Sequence, residues 1–156
     1  MMKGVVLRYV NCEADADDLL QISFIRVVEK LHLFQNTGAL GGWIRKTTVN
    51  CILGELRKNK MFLMEQEKIE YLMPIDTSFL QELDASFIVS LIQELPESYR
   101  VVFNLFAIEG YAHKEISEKL NIPENTSKSH YHRAKQMLRQ LIENSEKNTV
   151  NNLNYG

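Results

Sequence analysis

The chain has 156 residues and a formal net charge of −2, with 45% hydrophobic and 24% charged residues. This composition is typical of an ordinary globular protein and excludes wholesale disorder, and the length allows one domain or two small ones. The longest apolar-rich run, Val101 to Ile108, is far shorter than the roughly 20 residues that cross a bilayer. The N-terminus has no long apolar stretch, so we expect a cytoplasmic protein without a signal peptide or membrane insertion.

The first half of the chain predicts two long helices. Asn11 can cap the first helix, and acidic residues follow in its first turn, where carboxylates face the positive end of the helix dipole. An apolar stripe of helical period is expected to face the core, with the members Leu20, Phe24, Val27, Leu31 and Phe34. A loop signal at 35–38 precedes a second helix over about 40–59. This helix is expected to bury Trp43, Thr47, Ile52 and Leu56.

A connector separates the two halves. Residues 61–84 contain Pro74, scattered apolar residues without a sustained period, and six acidic residues against one lysine. Because a linker of this length is uncommon inside a compact domain, we place a domain boundary here. The predicted domains cover 1–60 and 85–144, and residues 145–156 are expected to form a flexible tail.

The second half predicts four helices, over 85–95, 97–109, 112–120 and 124 to about 144, with Gly110 ending the second. A tight turn around Ile122 joins the last two helices, and this spacing is typical of a helix-turn-helix. The last helix has a face expected to pack inward, made of Ser127, Tyr131, Ala134, Leu138 and Leu141. Its opposite face is expected to be exposed, and it holds Lys128, Ser129, His132, Arg133 and Gln136.

Basic residues are segregated along the chain. Five lie between Trp43 and Lys60 against one acid, and four lie between Thr126 and Arg139 without an acid. Together with the acidic connector, this pattern predicts two basic faces, although charge runs of this kind also serve simply to solvate helix faces. A helix with exposed Arg and Lys suits insertion into the DNA major groove.

Short motifs in both halves resemble the sigma-70 family of RNA polymerase sigma factors. Those that resemble region 4 are LPESYR at 95–100, EGY at 109–111, KEIS at 114–117, IPENTSKS at 122–129 and HRAK at 132–135. Those that resemble region 2 are DADDLLQ at 15–21 with Phe24, and the segment 43–50 followed by LRK at 56–58. Their order and spacing are similar to the short, two-domain extracytoplasmic-function (ECF) members.

The resemblance implies an all-α protein in which a region 2 bundle and a region 4 helix-turn-helix are joined by the acidic linker. It implies a non-enzymatic transcription initiation factor without cofactor, metal or catalytic residue, whose partners are core RNA polymerase, promoter DNA and an anti-sigma factor. The implied polymerase contacts are Asp15, Asp18 and Gln21. The implied −10 contacts, around bases flipped out of the stack, are Arg26, Phe34, Arg45, Lys46, Asn50, Arg57 and Lys58. The implied −35 contacts are His113, Lys114, Thr126, Lys128, Ser129, His130, His132 and Arg133.

Three features depart from the family's pattern. The chain begins where the second helix of region 2 should, so we expect the first helix to be missing. Ile22 stands at a usually acidic position, and His130 and Tyr131 replace a commoner Arg-Leu pair. Two alternatives therefore stay open: a truncated sigma factor with reduced initiation activity, and a stand-alone helix-turn-helix regulator. An enzyme is disfavoured because no glycine-rich phosphate loop or carboxylate cluster accompanies the histidines.

Overall fold

The structure, a computed structural model, describes residues 2–35, 38–58 and 84–153, with side chains as far as Ser145. The helices in these ranges are α1 (Met2–Leu7), α2 (Glu13–Lys30), α3 (Leu40–Lys58), α4 (Ala85–Gln93), α5 (Glu97–Phe103), α6 (His113–Leu120) and α7 (Glu124–Leu153). A 3₁₀ turn (Leu31–Leu33) follows α2, and a π turn (Asn104–Ile108) follows α5. The described residues contain no strand, which confirms the predicted all-α class. The predicted connector, apart from Asp84, lies outside them.

Helices α1 to α3 form what we call the N-terminal unit. The buried residues of α2 are Ala16, Leu19, Ser23 and Val27, at helical spacing. The predicted stripe is therefore largely wrong: Phe24 and Leu31 are exposed, and Val27 is its one fully buried member. The reason is that α2 carries apolar side chains on two faces, and the face with the small residues Ala16 and Ser23 packs against its neighbours.

Two local predictions in this unit also need correction. Cys12, not Asn11, occupies the N-cap of α2, and its side chain makes no capping hydrogen bond. Trp43 is only half-buried, because it lies near the start of α3 with its ring centroid 5.8 Å from that of Phe34. The buried positions of α3 come later in the helix, at Thr48, Val49, Ile52, Leu53 and Leu56.

Helices α4 to α7 form the C-terminal unit. Asp84 caps α4, since its carboxylate accepts a hydrogen bond from the Ser86 N–H over 2.8 Å. A core of its own lies between α4, α5 and α7, with the members Leu91, Ile92, Leu95, Phe103, Ala134, Leu138 and Ile142. Helix α7 continues to Leu153, beyond the predicted end near residue 144.

The two units pack against each other through a larger core. Its N-terminal members are Val5, Val6, Tyr9, Val10, Ala16, Leu19, Val49, Ile52, Leu53 and Leu56. Its C-terminal members are Val101, Val102, Leu105, Ile116, Leu120 and Ile122. Apolar burial of this kind is the main favourable contribution to folding. Side chains from both predicted halves thus share one core, whereas periodicity alone assigned them to two separate domain cores.

A π turn interrupts the helix that was predicted to run unbroken over 97–109. The Glu109 N–H donates to the Asn104 carbonyl over 2.9 Å, and Gly110 follows with φ 78°, a conformation that glycine adopts without strain. Asn104 is fully buried, and its Nδ2 donates to the carbonyls of Arg8 (2.7 Å) and Arg100 (2.9 Å). This side chain therefore ties the C-terminal unit to the end of α1.

Candidate nucleic-acid interface

Helices α6 and α7 form the predicted helix-turn-helix. Asn121 ends α6 in the left-handed conformation with φ 54°, and Ile122 is buried beneath the turn. The Ser117 hydroxyl donates to the Ile122 carbonyl over 2.6 Å, which stabilises the turn before α7 begins at Glu124. Ile116 and Leu120 hold α6 against the core. The geometry fixes the first turns of α7 at the surface beside α6.

The inward face of α7 is confirmed. Ser127, Ala134 and Leu138 are buried, and Tyr131 and Leu141 are half-buried. On the other side, Lys128 is exposed, and its Nζ lies 2.7 Å from a carboxylate oxygen of Glu124 one turn earlier. The hydrogen bond from Lys128 holds the pKa of Glu124 below its usual value. Arg133 is half-buried and donates to the Gln136 side-chain carbonyl over 3.4 Å.

Three predicted −35 contacts are not on the exposed face. Ser129, His130 and His132 have exposed fractions of only 5%, 7% and 7%. The Ser129 hydroxyl bends back to the Thr126 carbonyl over 3.0 Å, and the His130 ring lies edge-on to Tyr99 with centroids 5.1 Å apart. Burial, Lys135 and Arg133 lower the pKa of His132. The expected exposure of Ser129 and His132 is therefore wrong, and contact of all three side chains with DNA stays a prediction.

His113 joins the two helices of this motif. Its Nδ1 lies 2.9 Å from the Ser127 hydroxyl, and its ring stacks on Phe106 with centroids 4.3 Å apart. Burial and the nearby Lys128 lower the pKa of His113, because both disfavour the charged ring. Beside it, Lys114 is exposed and Thr126 is half-buried. Contact of these three residues with the DNA backbone stays a prediction. The side chain of His113 is the most constrained of the three, because it contacts both Ser127 and Phe106.

A groove between α2 and α3 brings several predicted −10 contacts together. It encloses a cavity of about 300 Å³ lined by Arg26, Lys30, Thr47, Asn50, Cys51, Gly54, Glu55 and Lys58. Arg26 pairs with Glu29 over 3.2 Å, and Lys58 pairs with Glu55 over 2.8 Å. The groove therefore combines one exposed amide with three cationic side chains.

Two residues that line this groove were not predicted as site residues. Lys30 was not identified at all, and the expected burial of Thr47 is wrong, since it is half-buried at the groove. Lys30 stands four residues after Arg26, and Thr47 stands three residues before Asn50. Residues at these spacings share a face of a helix, so the two identified positions could have pointed to both neighbours. Lys30 adds a cation to the groove, and Thr47 adds a hydroxyl.

Other predicted −10 contacts do not line the groove. Phe34 packs on Trp43, Lys46 is exposed, and the Arg57 Nε donates to the Leu53 carbonyl over 3.3 Å. Arg45 points to the C-terminal unit, where it pairs with Glu109. The structure thus separates the predicted set into the groove residues and residues placed elsewhere on the N-terminal unit.

The predicted polymerase contacts lie along α2. Asp15, Asp18 and Gln21 are all exposed. Asp15 and Asp18 also line a cavity of about 280 Å³ between the two units, together with Glu97 and Arg100 of α5. Burial raises the pKa of Glu97, while Arg100 opposes that shift. One edge of the predicted polymerase surface thus lies beside the C-terminal unit.

Neither a metal centre nor a membrane span is found within 2–35, 38–58 and 84–153. No three His, Cys, Asp or Glu side chains there are grouped as ligands for an ion. None of the helices there is both long enough and apolar enough to cross a bilayer.

Comparison with known proteins gives matches for both units. The family described as "Sigma-70 region 2" matches residues 1–61, and the one described as "Sigma-70, region 4" matches residues 88–138. The RNA polymerase sigma factor SigZ of Bacillus subtilis is 30% identical over 142 residues, which cover 91% of this chain and 81% of the relative. The ECF RNA polymerase sigma factor SigE of Mycolicibacterium smegmatis is 30% identical over 134 residues, 82% of this chain and 52% of the relative.

A solved structure has a similar fold. It is the sigma factor RpoE in complex with the anti-sigma factor NepR, from Bartonella quintana. The match has a TM-score of 0.55 at 18% sequence identity, and covers 91% of this chain and 89% of that one. At this level of identity the match supports the arrangement of helices.

Proposed function

This chain belongs to the sigma-70 family, among its ECF members, and from that premise we propose that it binds core RNA polymerase and directs it to promoters. In this proposal the N-terminal unit engages the polymerase and the −10 element, and the C-terminal unit engages the −35 element. The site of action is then the cytoplasm, where the polymerase works. An anti-sigma factor is a further proposed partner.

The α2–α3 groove is the observation that carries the proposal. Flipping a base out of the stack costs a few kcal/mol, and a protein offsets this cost with stacking and hydrogen bonds to the base edge. The Asn50 amide can both donate to and accept from a base edge. Arg26, Lys30 and Lys58 surround it and can neutralise the adjoining phosphates. A cavity of about 300 Å³ has room for one base beside these groups.

The exposed start of α7 supports −35 recognition. Lys128 is exposed, Arg133 is half-buried, and Lys114 is exposed on the neighbouring α6. Arg and Lys are the side chains that most often read guanine edges or contact phosphates. We propose that Lys128 and Arg133 enter the major groove while Lys114 contacts the backbone.

Binding to polymerase explains why the whole chain is not basic. A stand-alone DNA-binding domain is usually strongly basic, whereas this chain has a net charge of −2. When a larger assembly holds two weak modules on the same DNA, the second contact forms at high effective concentration. Asp15, Asp18 and Gln21, exposed along α2, are the proposed polymerase contacts.

Reconstituted transcription tests the proposal. Core RNA polymerase is mixed with the chain and with a library of promoter fragments, and we expect transcripts that neither component yields alone. Initiation that does not depend on the chain contradicts the proposal. Sequence-specific binding of a single duplex site without polymerase, and no association with polymerase, supports the stand-alone regulator instead.

A further inference from the structure

We propose that the described arrangement is a closed state of the protein, held by an ion-pair lock in which Glu109 of the C-terminal unit binds Arg8 and Arg45 of the N-terminal unit. Opening of this lock then precedes promoter binding. The inference rests on the proposed function because it takes Arg45 and Asn50 as DNA contacts. The closed geometry itself does not depend on that function.

The lock is a two-arginine clamp on one carboxylate. Arg45 donates from Nε to Glu109 Oε2 over 2.8 Å and from Nη2 to Oε1 over 2.9 Å, which is a bidentate pair. Arg8 donates from Nη2 to Oε1 over 3.1 Å. Bidentate, charge-assisted hydrogen bonds are the stronger and more directional class. All three bonds cross from one unit to the other.

Because the Glu109 side chain is buried, loss of this clamp should cost more stability than loss of an exposed ion pair. The Glu109 side chain is 7% exposed, whereas the exposed pair Arg139–Glu143 within α7 has side chains 61% and 52% exposed. Exposed pairs contribute little, but removing one partner of a buried pair leaves an uncompensated charge. Tyr9 is fully buried beside the clamp, and burial followed by Glu109 raises its pKa. The surroundings of the carboxylate are therefore poorly hydrated.

The closed state occupies two predicted −10 contacts. Arg45 cannot pair with Glu109 and neutralise a phosphate with the same guanidinium edge. Asn50 accepts a hydrogen bond from Lys119 of α6 over 3.3 Å, so its amide oxygen is also engaged by the C-terminal unit. A ligand that binds only the open state shifts the equilibrium toward it, and weakening the closed state tightens apparent binding by the same linkage.

Polar contacts from α4 and the π turn reinforce the closure. Gln93 donates to the carbonyls of Leu7 (2.9 Å) and Val10 (3.3 Å), and Asn104 donates to that of Arg8. These bonds satisfy the carbonyls that the end of α1 leaves unpaired. Together with the shared apolar core, they mean that the lock is one part of a larger contact, so its removal shifts the population of states rather than separating the units outright.

The test uses the full chain and three matched variants. Glu109→Gln removes the central charge and keeps the shape, while Arg8→Gln removes one arm and leaves Arg45 paired. Glu143→Gln removes an equal charge from an exposed pair inside one unit. The radius of gyration from small-angle X-ray scattering reports opening, and fluorescence anisotropy with a labelled random-sequence pool of single-stranded DNA reports access to the N-terminal unit.

We expect the radius of gyration and the DNA affinity to rise together. Glu109→Gln should raise the affinity about tenfold, within the usual range of coupling between sites; Arg8→Gln should raise it less, and Glu143→Gln should match the unchanged chain. Unchanged scattering in both lock variants, or opening without a gain in affinity, overturns the inference. If circular dichroism shows that Glu109→Gln does not fold, Arg8→Gln decides.

Transcription with core polymerase separates this inference from the proposed function. If the lock variants open and bind DNA more tightly, yet neither they nor the unchanged chain supports initiation, the closed-state inference is supported and the proposed function fails. If the unchanged chain supports initiation and the lock variants neither open nor initiate more readily, the proposed function is supported and the lock is overturned.

Discussion

The Nζ atom of Lys119 lies 3.3 Å from the side-chain oxygen of Asn50 and donates a hydrogen bond to it. A residue of the helix-turn-helix thus contacts the amide proposed to read a flipped base. The contact joins α6 to α3 across 69 positions of sequence.

Asn50→Ala should impair promoter opening more than binding of closed duplex. The alanine removes the amide that offsets the cost of flipping a base, which we expect to weaken opening by about 1–3 kcal/mol. Permanganate reactivity of unpaired thymines in the polymerase complex measures opening, and gel shift measures duplex binding. Asn11→Ala, at an exposed position before α2, is the control. Equal losses in the two assays contradict a base pocket at Asn50.

Arg133→Ala should weaken binding that depends on the −35 element by about 1–3 kcal/mol, because a guanidinium that reads a base loses a bidentate contact. Competition between promoters with intact and scrambled −35 elements measures this loss. Arg139→Ala removes an equal charge from an exposed position on the same helix and should have little effect on the preference. A change of the same size for both variants indicates a general charge effect and not base recognition.

His113 should make the C-terminal unit sensitive to acid. Its pKa is lowered in the folded state from an ordinary value near 6.5, so the unfolded state binds a proton more readily. The stabilising effect is full above pH 6.5 and is lost progressively as the pH falls toward the folded-state pKa. Urea unfolding between pH 8 and pH 5 should therefore show a shallower loss for His113→Gln than for the unchanged chain.

The exposed His32 provides the control for that measurement. His32→Gln removes a ring that the structure leaves at the surface, so its unfolding profile should follow that of the unchanged chain. Carboxylates titrate in all three proteins, and the difference between profiles isolates the histidine. Identical profiles for His113→Gln and the unchanged chain contradict a lowered pKa of His113 in the folded state.

Asn104→Ala should destabilise the fold. The change leaves the carbonyls of Arg8 and Arg100 without their side-chain donor and opens space in a fully buried position, at a cost of about 1–3 kcal/mol. Urea unfolding followed by circular dichroism measures the free energy. Asn125→Ala, at an exposed position in the first turn of α7, should change it little. An unchanged midpoint for Asn104→Ala contradicts the bridging role.

Helical periodicity predicted the long helices but missed α1 and the π turn, and it predicted poorly which helices pack together. Spacing located the helix-turn-helix because its signals, Ile122 and the residues around it, lie close together in the sequence. The buried face of α2 was misidentified because two apolar faces compete there, and burial of Phe24 or Ser23 depends on what packs alongside. The same limit hid the shared core, since a period indicates that a face is buried but not which helix covers it.

The candidate site was predicted in part, for the same physical reason. Three of the predicted −10 contacts, Arg26, Asn50 and Lys58, line one groove, because α2 and α3 are long, regular and adjacent in sequence. Burial of His130 follows from its position between Ser127 and Ala134 on the packed side of α7. The Arg45–Glu109 pair had no local signal, because its partners are 64 residues apart and belong to different units.

The number of residues in the π turn at 104–108, rather than their identity, sets the direction in which the Glu109 side chain points. Each residue of an α-helix rotates the chain by about 100°, so deleting the exposed Ala107 would swing the carboxylate away from both arginines without removing a buried side chain. Deletion of that one codon should therefore abolish the proposed ion-pair lock in one genetic step, and insertion of one residue at the same place should restore it.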